Sequence, residues 1–217
     1  MTISRTESET IDAAVARVEA RTGVPIVTVV TGKADSYAEL PWMAFAFGVL
    51  LASLAAAILD WLRPDWPVAR SAVVVAAMLL AAGGASALAA AIVPTYARLF
   101  LRTAVRDRKL RHYAQSLFLR RELAKTRARN GVLILVCKFE RRVEILPDVG
   151  LYGRVAPEDW SRIVAAMMPF VRAGRFAPAL HAGVALAGQI LATRGFAGSA
   201  GGANELPDGP IEEQGPS

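Results

Sequence analysis

The sequence predicts an α/β protein, a small three-layer sandwich with helices on a short sheet, interrupted by a two-helix transmembrane hairpin. Three observations lead there. Two charge-free apolar runs, Trp42–Leu59 and Ser71–Val93, are each near the roughly 20 residues that cross a bilayer core. Short runs rich in β-branched residues, Pro25–Val30 and Val132–Phe139, lie on either side of them. Helical periodicity fills most of the remaining polar chain. Four segments follow: 1–40, the first part of the α/β domain; 41–95, the hairpin; 96–196, a basic juxtamembrane helix and the rest of the domain; and 197–217, a disordered tail.

Thr6 and Glu9 fit a capping box, and Ile11, Val15 and Val18 recur at helical spacing up to a stop at Gly23. Pro25–Val30 is then a strand, and Thr31–Tyr37 a polar connection into the first apolar run. Pro94 ends or kinks the second run. From about Leu99 to Arg129 the pattern is helical, with Leu110, Ala114, Leu117 and Ala124 on one face and arginines around the rest. Asn130-Gly131 marks a turn. Val132–Phe139 has the apolarity of a strand buried on both faces, and Val143–Leu146 alternates as the second arm of a hairpin. Pro157 opens a helix carrying Trp160, Ile163, Val164, Met167 and Met168, with a kink or break expected at Pro169. Phe176 to about Thr193 forms the last helix. A lone strand leaves backbone groups unsatisfied, so the early strand is expected to pair with Val132–Phe139 across the hairpin.

The net charge of +6 is unevenly spread. Arg98, Arg102, Arg106, Arg108, Lys109 and Arg111 follow the second apolar run closely, whereas the 60–70 loop balances Arg63 and Arg70 against Asp60 and Asp65. That asymmetry places both termini in the cytoplasm and the chain as a multi-pass protein of the inner (cytoplasmic) membrane. Trp42, Trp61 and Trp66 sit where interfacial indoles are favoured. Anionic lipid headgroups are the nearest partner for the basic patch. No nucleic-acid motif accompanies it, and nucleic acid is not expected as a partner. The first forty residues mix charges of both signs without an apolar signal core, so the apolar runs are expected to persist in the mature protein.

Cys137 is the only cysteine and lies in an apolar strand, which points to an inert buried thiol. His112 and His181 have no metal-ligand spacing. The 81–86 stretch is built of small residues, with Gly83 and Gly84 at its centre; it suits close helix packing within the hairpin, against a membrane-protein partner or in a homo-oligomer. Neither apolar run contains a charged residue, which argues against a pore or carrier.

Several segments, in order, resemble the TPM domain family, found in a thylakoid-lumen protein of photosystem repair and in bacterial membrane proteins. They are Glu19–Gly23 with Val27–Val30, Thr126–Val136 with its Asn-Gly and apolar strand, Glu140–Leu146, Asp148–Gly153 and Ala173–Leu180. The resemblance implies a small α/β sandwich. It also implies weak acid phosphatase activity and calcium binding, as associated with some plant members. The acidic motif common at the start of such members has no counterpart here, and Tyr152 stands where an acidic residue is often seen. Asp148, with Asp35 expected at the same end of the sheet, is the carboxylate pair available to a cation, whereas calcium takes six to eight oxygen ligands. No motif names a cofactor. The function expected is therefore a non-enzymatic interaction module for assembly or maintenance of membrane complexes; the alternative is a weak metal-dependent acid phosphatase.

Overall fold

The computed structural model describes residues 4–62, 72–101, 103–121, 123, 126, 128–197 and 211–213. The chain forms two compact units, residues 1–36 with 107–217, and residues 37–106.

In the first unit, α1 (Arg5–Thr22) starts two residues earlier than the sequence suggests. Ser4, not Thr6, is the N-cap, and its capping box closes with Glu7. Both pairs fit the Ser/Thr-x-x-Glu pattern, and the earlier one satisfies the orphan donors of a longer helix. Gly23 stops α1 in the left-handed region, φ 65°. β1 (Ile26–Thr31) follows, buried along its whole length. It pairs parallel with β2 (Val132–Cys137) from Ile26 opposite Val132 to Thr31 opposite Cys137. β2 ends at Cys137; Lys138 and Phe139 N–H still donate to Thr31 O and Gly32 O as the chain turns into β3 (Arg142–Pro147). β3 runs antiparallel to β2. The sheet order is β3-β2-β1-β4, where β4 (Ile211–Glu213) pairs parallel with Val29–Thr31. These three paired residues lie within the segment expected to be a disordered tail; most of the other residues of that segment lie outside the described ones.

Because side chains alternate along a strand, the buried sheet feeds a core on each face. Ile26, Val30, Val132, Ile134 and Val136 pack with α1, α6 (Pro157–Arg172) and α7 (Phe176–Thr193). Val27, Val29, Leu133 and Leu135 pack with Leu110, Ala114 and Leu117 of α5 (Thr103–Arg120). Those three α5 positions form the apolar face read from the sequence; Ala124 lies outside the described residues. α6 continues through Pro169 to Arg172 without a break, since only the last turn loses a donor there. α7 meets α6 and α1 at glycines. A Cβ on Gly183 would sit 2.5 Å from Met167 Sδ, and one on Gly188 2.7 Å from Val18. α5 is thus the crossover helix that a parallel β1–β2 pair requires, and residues 37–106 are an insertion in that crossover.

The second unit is built on α2 (Glu39–Leu62) and α3 (Ala72–Ile92), followed by α4 (Pro94–Ala97) and a short 3-10 turn, Arg98–Phe100. Pro94 ends the long helix and opens the next, at a position where its missing N–H costs nothing. α2, α3 and α7 are all long and apolar enough to cross a membrane, but only 6% of each of the first two is buried, against 50% of α7. α7 is therefore a core helix of the α/β unit.

Candidate functional site

Two of the segments named above, Thr126–Val136 and Asp148–Gly153, fold onto one another at the end of the sheet where β2 begins. Asp148 N–H donates to Gly131 O at 2.9 Å, and Gly150 N–H to Arg129 O at 2.7 Å. Gly150 is required here, because a Cβ would collide with the carbonyls of Ala128 and Arg129. The Asp148 carboxylate is buried, 3% exposed. It accepts two bonds from the Arg129 guanidinium, at 3.0 and 3.3 Å, and one from Val149 N–H at 2.7 Å, capping the 3-10 turn Val149–Leu151. The bonds to Asp148, and its charge, raise the Arg129 pKa above its ordinary value. Asp148 thus acts as a structural pin between Arg129 and the start of the 3-10 turn.

Asp35 lies at the other end. It follows the C-terminus of β1, while Asp148 follows β3, whose last residue Pro147 pairs with Val132 at the N-terminus of β2. A six-residue strand at about 3.3 Å per residue separates the two ends by roughly 17 Å. The expectation that the two aspartates share one end of the sheet is thus corrected: a parallel β1–β2 pair sends them to opposite ends. Among the described residues no three His, Cys, Asp or Glu side chains gather in a way that could hold a metal ion.

At the Asp35 end, Glu140 is buried and its Oε1 accepts from Ala34 N–H at 2.8 Å, fixing the loop after β1. Asp35 pairs with Lys109 at 2.9 Å and also caps Ser36 N–H. The Lys109 bond holds the Asp35 carboxyl below the usual carboxylate range. Cys137 is buried nearby, and burial pushes its thiol well up, with the charges of Glu140 and Glu144 adding to the shift. That is the opposite of an activated nucleophile.

The basic patch is partly neutralised. Besides Lys109, Arg111 pairs with Glu144 at 3.4 Å, and Asp107 faces Arg142 at 3.6 Å. Arg102 lies outside the described residues, as does the side chain of Arg106. Arg98 belongs to the second unit, whereas Arg108, with Arg111 and His112, lines a cleft of about 580 Å³ between α5 and β3. Sequence reasoning missed Arg142 and Glu144 as partners of α5. Their two-residue spacing on an edge strand was the available signal. It also missed the buried Asp159, which caps α6 and is held by Arg194 at 2.6 and 2.9 Å. His181 bonds Thr10 at 3.1 Å, joining α7 to α1.

In the second unit the two glycines part company. Gly83 is closed in by Phe45 and Val49, and Gly48 by Ala82 and Ser86, so each helix presents a glycine to the other. Gly84 faces open space. Ser86 Oγ donates to Ala44 O at 2.6 Å and lies 2.7 Å from the Tyr96 hydroxyl.

The TPM domain model matches residues 85–190. That span begins inside α3 and takes in the Asn-Gly turn, the β2–β3 hairpin, the Asp148–Gly153 loop and most of α7. The NMR structure of the BA42 protein from the psychrophilic bacterium Bizionia argentinensis is similar in fold. Its TM-score is 0.58 at 16% identity, covering 98% of this chain and 97% of that one. No curated protein matches the sequence.

Proposed function

We propose that α2 and α3 form a transmembrane hairpin, and that the TPM-like α/β unit is a non-enzymatic interaction module serving assembly or maintenance of membrane complexes. A hairpin puts both termini on one side, and the basic residues after α3 argue for the cytoplasmic side of an inner (cytoplasmic) membrane, as a multi-pass protein. The observation that carries the reading is the outer surface of the two helices. Trp42, Leu50, Leu54, Ile58, Leu80, Leu88 and Ile92 are all exposed on it. Soluble monomers rarely expose contiguous apolar patches of more than a few hundred Å², and lipid is the solvent in which such a surface costs nothing. The insertion point supports the same reading, because a crossover connection accepts an insert without disturbing the sheet.

The module reading draws on the carboxylates. Asp148 is committed to Arg129 and Val149, and Asp35 to Lys109, at opposite ends of the sheet. The phosphatase alternative would need them together. Comparing the membrane complexes of cells with and without the protein tests the module directly. Loss of subunits from at least one complex is expected, and unchanged composition of every complex would remove the proposal.

A further inference from the structure

We propose that the cleft between α5 and β3 binds the phosphodiester headgroup of an anionic phospholipid. Arg108, Arg111, His112 and Gln115 stand at i, i+3, i+4 and i+7, one face of α5, and all four line the cleft. β3 supplies Arg142 and Glu144 from the opposite wall. The volume of about 580 Å³ falls in the range of small-molecule sites, about 300–1,000 Å³.

Donors in this cleft are only partly satisfied. Among the described residues Arg108 has no carboxylate partner. Arg142 Nε is buried and makes no hydrogen bond; its distance of 3.6 Å to Asp107 Oδ1 is too long for one. A phosphodiester matches this set, since guanidinium groups take phosphate oxygens through paired N–H donors. Asp107 and Glu144 sit beside these cations and favour a headgroup that also offers hydroxyl donors, as the glycerol of phosphatidylglycerol does. The lipid source follows from the chain. Asp107 and Arg108 are the first residues after the hairpin unit, so the inference rests on that hairpin lying in a bilayer.

The chain has only two histidines, and His181 is held on α7 against Thr10, so ring-proton NMR reports the cleft and a control site separately. The full-length protein in maltoside micelles is titrated with dihexanoyl-phosphatidylglycerol, with the phosphatidylcholine analogue and with inorganic phosphate. A saturable His112 shift with phosphatidylglycerol is expected, with His181 unmoved. Arg108→Gln is expected to weaken it about tenfold and Arg142→Gln at least as much, the loss of one charge-assisted contact each. No His112 shift, or unchanged affinity in both variants with His181 native, overturns the site. An equal response to inorganic phosphate overturns the lipid assignment. Alkaline extraction of the same protein from membranes reads the hairpin separately: release into solution with the His112 response intact would remove the anchor and leave the headgroup site standing.

Discussion

Asp35 and Lys109 meet at 2.9 Å at the two points where the chain leaves the α/β unit and returns to it. The pair closes the crossover that the hairpin interrupts, on the α/β side of the boundary. Both side chains are partly exposed, so Lys109→Ala is expected to cost only about 0.2–1 kcal/mol. The carboxyl of Asp35 is depressed in the folded protein. Its contribution is present above its unfolded pKa and lost as pH falls through the lower, folded value. In Lys109→Ala the NMR titration of Asp35 should move upward; an unmoved titration would contradict the role assigned to the pair.

Asp148 and Arg129 make the corresponding joint at the other end. Asp148→Ala strips partners from the Val149 amide and from Arg129, at about 1–3 kcal/mol. Asp148→Asn should recover part of that by keeping an acceptor for Val149. Thermal unfolding of the two variants checks the order. Hydrolysis of a phosphomonoester, if any is detected, should be the same in wild type and Asp148→Ala.

Glu144 behaves in the opposite sense to Asp35. Burial first, and the charge of Asp107 after it, raise its pKa above 4.5 against the pull of Arg111. For a raised carboxyl the stabilising form is the protonated one. Its contribution is full below the unfolded pKa and disappears as pH rises through the folded value. Asp107→Asn should lower the Glu144 titration and Arg111→Ala should raise it, both read by NMR.

The two adjacent glycines of α3 provide a built-in control. Gly83→Val places methyls on Phe45 and Val49, and overpacking of this kind costs about 1–3 kcal/mol. Gly84→Val meets open space and should leave the hairpin intact. Cross-linking of single cysteines on α2 and α3 in each variant compares them.

Much of this was legible in the sequence because it is periodic or conformationally forced. The α5 face Leu110–Ala114–Leu117, the stop at Gly23 and the pairing of β1 with β2 all follow from spacing and backbone chemistry. The relation of Asp35 to Asp148 was not legible, since it depends on strand direction. That direction is set only when the crossover is recognised as parallel. The neutralisation of Lys109 and Arg111 was hidden for a similar reason: Asp35 comes from the loop after β1 and Glu144 from β3, and a run of arginines looks unopposed until the fold brings them in. Gly83 and Gly84 are identical as letters, and only the 3.6-residue turn decides which one faces α2.

α2 and α3 are proposed to lie in a bilayer, with the α/β unit on the cytoplasmic side. Accessibility of single cysteines, with Cys137 replaced, tests it most directly, one cysteine placed in the 60–70 loop and one in the tail. Labelling of the loop from outside with protection of the tail is the expected result. Labelling of the tail from outside, or of both sites alike in sealed membranes, would contradict it.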